Sequence, residues 1–336
     1  MVPVWSRRSF LQCLGLVATA TTAVGRFAMP RMATAATPPT SVLRFGVQTH
    51  PEHTSFKDIL QVWQDADTLG LDTAFVFDHF IPIQGDQSGP CFEGWTLLSA
   101  LAAQTQRVRV GVLVTGNTYR YPAVLAKMAA TVDHVSGGRL ILGMGAGWFE
   151  PDHTAHGIPF YTAGRRARRL VESVEVVKQL FTQPKSTFAG KYYQLKDAPF
   201  APKSVQQPHP PILIGGMGPK VIQPLAARHA DIWNFFVQDS DPQSAQRVCA
   251  QFDAICRQVG RNPAEVEKST NVRPQQLSAK EMRGRIAALA NAGVQHFILS
   301  LEPPFDRDVV RRFALEVAAP LREKRTGTPQ QSRSAQ

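Results

Sequence analysis

The sequence predicts an α/β protein built as a (β/α)8 TIM barrel. Three observations carry that prediction. From residue 43 onward, short apolar runs alternate with longer amphipathic ones, giving eight strand–helix units in succession. The short runs lack polar alternation, so the strands they form must be covered on both faces, as parallel strands are. The chain has 336 residues, 43% hydrophobic and 19% charged, which supplies a full core and excludes a disordered or disulfide-scaffold protein. A doubly wound open sheet is the alternative, but eight consecutive units favour closure.

Each element is justified in turn. Residues 43–48 read as the first strand and 55–69 as a helix with Ser55 at its N-cap. The second unit is 73–78 with the helix 95–105. The third is the β-branched run 108–115 with the helix 122–135, which has Pro122 in its first turn. The fourth is 139–145 with 165–181. The remaining four pairs are 211–216 with 220–228, 231–236 with 242–259, 266–272 with 278–292, and 296–301 with 306–321. Two insertions interrupt the rhythm. One, 150–164, follows strand four; the other, 185–210, follows helix four and holds a hairpin-like pattern around Ala189-Gly190. Loops of this length in a compact domain are functional or covering elements. The barrel domain is thus 37–321, and the polar tail 322–336 is expected to be disordered.

Residues 1–36 form a separate segment. Ser6-Arg7-Arg8-Ser9-Phe10-Leu11 precedes a short apolar run and the small residues Ala33-Thr34-Ala35-Ala36. A charged start, an apolar middle and small residues before a cleavage point make an export signal. The paired arginines resemble the twin-arginine type, with Gln12 where Lys is usual. That resemblance implies export of an already folded, cofactor-loaded protein by the twin-arginine machinery to a periplasmic or other extracytoplasmic location. The apolar run is short for a membrane span.

Lys and Arg number 37 against 26 Asp and Glu, and only four of the arginines lie in the first 36 residues. The remaining basic excess favours small anionic molecules, or weak nucleic-acid contact, and of these a small-molecule partner and no nucleic acid is the expectation. Cysteine use argues that the fold does not depend on bridges. Cys249 and Cys256 stand seven apart in a helical pattern, about 10 Å between Cα atoms, which a disulfide does not span. No Cys-x-x-Cys pair occurs, so a thiolate zinc site is not expected.

Chemistry in such a barrel sits at the C-terminal ends of the strands. The second strand ends in Asp78-His79, and a histidine there suits proton transfer near neutral pH. The third ends in Thr115-Gly116-Asn117, the fourth in Gly143-Met144-Gly145-Ala146-Gly147-Trp148 and the fifth in Gly215-Gly216-Met217-Gly218. Glycine at two neighbouring strand ends lets backbone approach a ligand. Because 215–218 is expected to open a helix, it is also a phosphate site. Glu150-x-Asp152-His153-x-x-His156 is a weak metal candidate in an irregular insertion, and no metal is expected. Arg165-Arg166-x-Arg168-Arg169 reads as a solvated helix face.

These residues resemble the luciferase-like monooxygenase superfamily, and within it the branch using the deazaflavin coenzyme F420. The resemblance runs from about Leu43 to Ala319. It is carried by Phe75-Val76-Phe77-Asp78-His79-Phe80, by residues 111–117 with Arg120-Tyr121-Pro122-Ala123, by the run from Ser136 to Trp148, and by Ile212-Leu213-Ile214-Gly215-Gly216 with Ala230-Asp231. It implies a ring bound at the barrel mouth and a non-proline cis peptide near Leu113–Val114. It further implies that Asp78, Thr115 and Asn117 contact the cofactor and that Gly145, Ala146 and Gly147 pack against it. Gly215, Gly216, Met217 and Gly218 would take its phosphate, with His79 as the catalytic acid/base. Sugar-phosphate dehydrogenases of this branch carry a catalytic Glu where Trp148 stands, which argues against glucose 6-phosphate as substrate.

The expected reaction is hydride transfer between coenzyme F420 and a small organic substrate by a homodimeric enzyme. The alternative is an FMN-dependent monooxygenase that uses dioxygen and a partner flavin reductase. An exported, non-catalytic binding protein is a third reading, against which the intact Asp78-His79 pair and both glycine-rich mouths stand.

Overall fold

The computed structural model describes residues 42–237, 241–273 and 278–326. Residues 1–36, expected to be an export signal, and the tail beyond 326 lie outside the described residues. In chain order the strands are β1 (Arg44–Thr49), β2 (Thr73–Val76), β3 (Arg109–Val112), β4 (Thr115–Gly116), β5 (Leu140–Gly145), β6 (Lys185–Ala189), β7 (Gln194–Pro199), β8 (Ile212–Gly215), β9 (Ile232–Asn234), β10 (Glu267–Val272) and β11 (His296–Leu301). All but β6 and β7 pair in parallel, in the order β3-β2-β1-β11-β10-β9-β8-β5-β4, and a β3–β5 pairing closes the sheet. β3 and β4 are two halves of one stave, separated at Leu113–Val114, where the peptide is cis. Counting them as one, eight parallel staves form the barrel the sequence predicts.

The helices alternate with the staves on the outside. They are α1 (Phe56–Thr68), α2 (Gly94–Ala103), α3 (Pro122–Val135), α4 (Glu150–Ala155), α5 (Ala163–Thr182), α6 (Ile222–His229), α7 (Pro242–Gln258), α8 (Ala279–Asn291), α9 (Arg307–Arg312) and α10 (Ala319–Thr326). Their starts follow local chemistry. Ser55 Oγ accepts the Asp58 N–H at the head of α1, Pro122 occupies the first turn of α3, and Ser278 with Glu281 closes a capping box on α8. No helix among the described residues is long and apolar enough to cross a membrane.

Two apolar layers hold the fold together. The larger joins the outer faces of the staves to the helices, with Trp63, Trp95 and Phe252 fully buried. The smaller fills the barrel itself with Phe75, Leu113, Ile141, Leu213, Ile232 and Ile298, one from each of six staves. The barrel is therefore plugged below its C-terminal mouth, and any ligand must sit above that plug.

The structure corrects several boundaries. The insertion after the fourth stave is not wholly irregular, because it contains α4. The hairpin in the second insertion is present as antiparallel β6 and β7. The last helix is interrupted by a π-helical stretch, Phe313–Ala318, and continues to Thr326, so 322–326 is helical rather than a disordered tail. The run 215–218 does not open α6, whose first residue is Ile222.

Candidate active site

A cavity of about 430 Å³ lies at the C-terminal ends of the staves, above the apolar plug. That volume is in the range of small-molecule sites. Its back wall is bare backbone. A Cβ on Gly143 would lie 2.0 Å from the Val112 carbonyl oxygen, and one on Gly145 would lie 2.6 Å from Val114 Cγ2. A Cβ on Gly215 would stand 3.0 Å from Val114 Cγ1. The glycines of β5 and β8 thus make room for Val114 to bulge inward from the broken stave.

A polar chain crosses the mouth beneath this wall. Asn234 Nδ2 donates to Asn271 Oδ1 at 3.3 Å, Asn271 Nδ2 to Gln48 Oε1 at 2.6 Å, and Gln48 Nε2 to the Leu113 carbonyl at 2.7 Å. Three staves are tied in this way to the carbonyl beside the cis peptide. Sequence reasoning missed all three side chains. The available signal was an amide side chain near the C-terminal end of each strand.

His79 lines the cavity and is held from behind. Its Nδ1 donates to Asp152 Oδ2 at 2.6 Å, and its ring lies edge-on to Phe77, Trp148 and Phe149 at 5.1, 5.8 and 5.5 Å. Asp152 comes from α4 and is fully buried. It also accepts the Phe80 and Ile81 N–H groups at 2.9 and 3.1 Å and the Tyr119 hydroxyl at 2.8 Å. Burial opposes its charge, but these bonds, led by the one from His79, outweigh it and hold the carboxyl below the usual aspartate range. With Nδ1–H so engaged, the neutral imidazole presents Nε2 as a proton acceptor. Nε2 has no protein hydrogen bond among the described residues.

Asp78 is equally buried but differently employed. Arg120 grips both of its oxygens, at 2.6 and 3.0 Å, and Thr115 Oγ1 donates to Oδ2. Arg120 also pairs with Glu93, and the Trp95 indole donates to Thr115 Oγ1 at 3.1 Å. The Asp78 carboxylate is therefore committed to protein partners, although the residue lines the cavity.

Of the residues singled out in the sequence, His79, Asp78, Thr115, Gly145, Ala146, Gly147, Gly215, Gly216 and Met217 come together around one cavity. Asn117 and Gly218 are not among its lining residues. Asn117 accepts the Tyr193 hydroxyl at 3.3 Å, and its Nδ2 is buried without a partner. Gly216 N–H is already spent on the Asn234 carbonyl at 3.0 Å. A phosphate at this mouth would therefore rely on other backbone groups of the 215–218 loop.

The structure also places the residues of the weak metal candidate and of the arginine run. His153 bonds Thr118 Oγ1 at 2.7 Å and the Phe149 carbonyl at 2.8 Å, while His156 bonds the Asp152 carbonyl at 2.9 Å. Among the described residues no cluster of metal-ligating side chains exists. Arg166 is not on a solvated face. It is buried, lies over the Phe160 ring at 4.1 Å and donates Nε to the Gly147 carbonyl at 2.7 Å, fixing the glycine loop of the site. Burial and the Glu52, Asp152 and Asp78 carboxylates push the Cys91 thiol up to about 12, which disfavours its thiolate.

Residues 39–334 match the family model described as luciferase-like monooxygenase. The chain belongs to the luciferase-like monooxygenase family. It is 33% identical over 192 residues to an F420-dependent glucose-6-phosphate dehydrogenase of Amycolatopsis mediterranei (strain U-32), a match covering 56% of each chain. It is 31% identical over 179 residues to an FMNH2-dependent dimethylsulfone monooxygenase of Pseudomonas putida, covering 53% of this chain and 47% of that one. The chain thus spans about half the length of the curated relatives it matches. A solved F420-dependent secondary alcohol dehydrogenase, bound to an F420–acetone adduct, superposes with a TM-score of 0.72 at 22% identity. That superposition covers 82% of this chain and 98% of the other, and it shows a shared fold.

Proposed function

We propose that the protein is an oxidoreductase that binds coenzyme F420 at the barrel mouth and transfers hydride between it and a small organic substrate. The observation that carries this reading is the His79–Asp152 pair opposite a glycine and Val114 wall in one cavity. A flat ring needs a wall without protruding side chains, and the close approaches at Gly145 and Gly215 provide it. F420-dependence in the names of several relatives supports the choice of coenzyme.

Bound there, the deazaflavin supplies two-electron hydride chemistry. The protein's part is positional and protolytic. Val114 and the backbone of β5 and β8 would support the ring. The Gln48–Asn271–Asn234 chain fixes the Leu113 carbonyl beside Val114. His79 Nε2 takes the proton released when a substrate hydroxyl becomes a carbonyl and returns it in the reverse direction. Asp152 keeps the imidazole in the required tautomer and stabilises its protonated form.

A second reading, an FMN-dependent monooxygenase supplied by a reductase, is favoured by the likeness to the FMNH2-dependent relative. Fluorescence titration of the purified protein with coenzyme F420, and separately with FMN, decides between them. Micromolar saturation by the deazaflavin alone is expected. Saturation by FMN alone would establish the second reading, and binding of neither would leave a non-catalytic binding protein.

The segment 1–36 is proposed to direct twin-arginine export. Replacing Arg7 and Arg8 by Lys should abolish export of a fused reporter; continued export would reject that assignment.

A further inference from the structure

The composition of the cavity lining specifies what kind of substrate it takes. Among the described residues that line it there is no lysine or arginine. Its single acid, Asp78, is neutralised by the bidentate Arg120. Two cations behind the wall are engaged by protein groups, Arg120 on Asp78 and Glu93, and Arg166 on the Gly147 and Tyr161 carbonyls. Arg273 lines a separate cleft with Glu302 and Asp306. Positions 238–240 and 274–277, outside the described residues, read Gln-Asp-Ser and Pro-Gln-Gln-Leu in the sequence and contain no basic residue. The imidazoles that line it are already engaged, His50 by Glu52 and Ser300 and His79 by Asp152, so a phosphate or carboxylate beside His79 would be desolvated without a permanently charged partner among the described lining residues.

The rim shows the opposite preference. Trp148 is 64% exposed, Phe236 58% and Met217 38%, and all three line this one cavity. Large apolar side chains held in solvent around a concave site mark a recognition surface. Trp148 is in ring contact with His79, so a molecule resting on the indole is brought to the proton-transferring group. Phe77 and Ile83 extend the apolar lining inward.

We propose that the substrate is an uncharged, largely apolar organic molecule and that Trp148, Met217 and Phe236 select it. This deepens, and rests on, the oxidoreductase reading of the same cavity. The test compares 2-naphthol with 2-naphthyl phosphate by titration calorimetry. It is made on the protein saturated with whichever coenzyme it takes, or on the bare protein if it takes none, so that failure of the coenzyme reading is scored separately. Naphthol should bind at least tenfold tighter than its phosphate ester. Trp148→Ala should weaken naphthol at least fivefold while Trp148→Phe preserves it; the exposed position of the indole makes both variants compatible with folding. Equal or tighter binding of the ester, no binding of naphthol, or indifference to Trp148→Ala would overturn the proposal.

Discussion

The His79 ring and the Asp152 carboxylate meet at 2.6 Å although 73 positions separate them in the chain. The same carboxylate accepts the N–H groups of Phe80 and Ile81, the two residues that follow His79. One buried side chain on α4 therefore sets both the orientation of the imidazole and the path of the loop that carries it.

Asp152→Asn should lower kcat/KM on the order of 100- to 10,000-fold, because an amide nitrogen facing Nδ1 disfavours the tautomer that leaves Nε2 free. Coenzyme affinity should stay within about threefold of the wild type by fluorescence titration. An unchanged kcat/KM would remove His79 from proton transfer.

Gly145→Ala drives a methyl group into Val114 Cγ2. Overpacking of this kind costs about 1–3 kcal/mol, read as a lower urea midpoint. Adding Val114→Ala should recover most of the loss, and failure to recover would show that the clash lies elsewhere.

Arg120→Met leaves Asp78 and Glu93 without their shared cation. Breaking a buried pair from one side costs about 3–5 kcal/mol. The double variant Arg120→Met with Asp78→Asn should lose less than the sum of the single variants. Additive losses in denaturant unfolding would contradict the coupling.

His229 gives the fold an acid-sensitive point. Burial, then the charges of Lys178, Arg228 and Arg261, push its imidazole down to about 4. Between the ordinary value near 6.5 and about 4 only the unfolded chain takes the proton, so stability falls as pH drops through that window and levels off below it. After allowance for partial exposure the loss is about 1–2 kcal/mol. His229→Gln should therefore gain on the wild type at pH 5 relative to pH 7.5 in thermal melts. A pH-independent difference would refute the assignment.

The barrel was readable because its signals are local. Residues 122–135 and 296–301 form the predicted helix and strand to the residue, since Pro122 and the turn before His296 mark their limits. The split of the third stave was legible only through family resemblance, and the cis peptide is found at Leu113–Val114 as that resemblance implies. His79 and the two glycine-rich mouths were found because strand ends are where a barrel keeps its chemistry. Asp152 was read with its neighbours as a metal candidate, since its partner is chosen by how α4 folds back over β2. Gln48, Asn234 and Asn271 escaped notice for a related reason. Each is a single amide side chain in its own strand, and they become a chain only when the sheet closes.

The glycine and Val114 wall divides this protein into a part that can change and a part that cannot. No side chain projects from that wall except Val114, and additions at positions 143, 145 or 215 collide with backbone or with Val114 itself. Redesign for a new reactant is thus confined to the rim at Trp148, Met217 and Phe236, where solvent exposure leaves substitutions free. Directed evolution of this scaffold should accumulate its productive changes there, with the wall carried through unaltered.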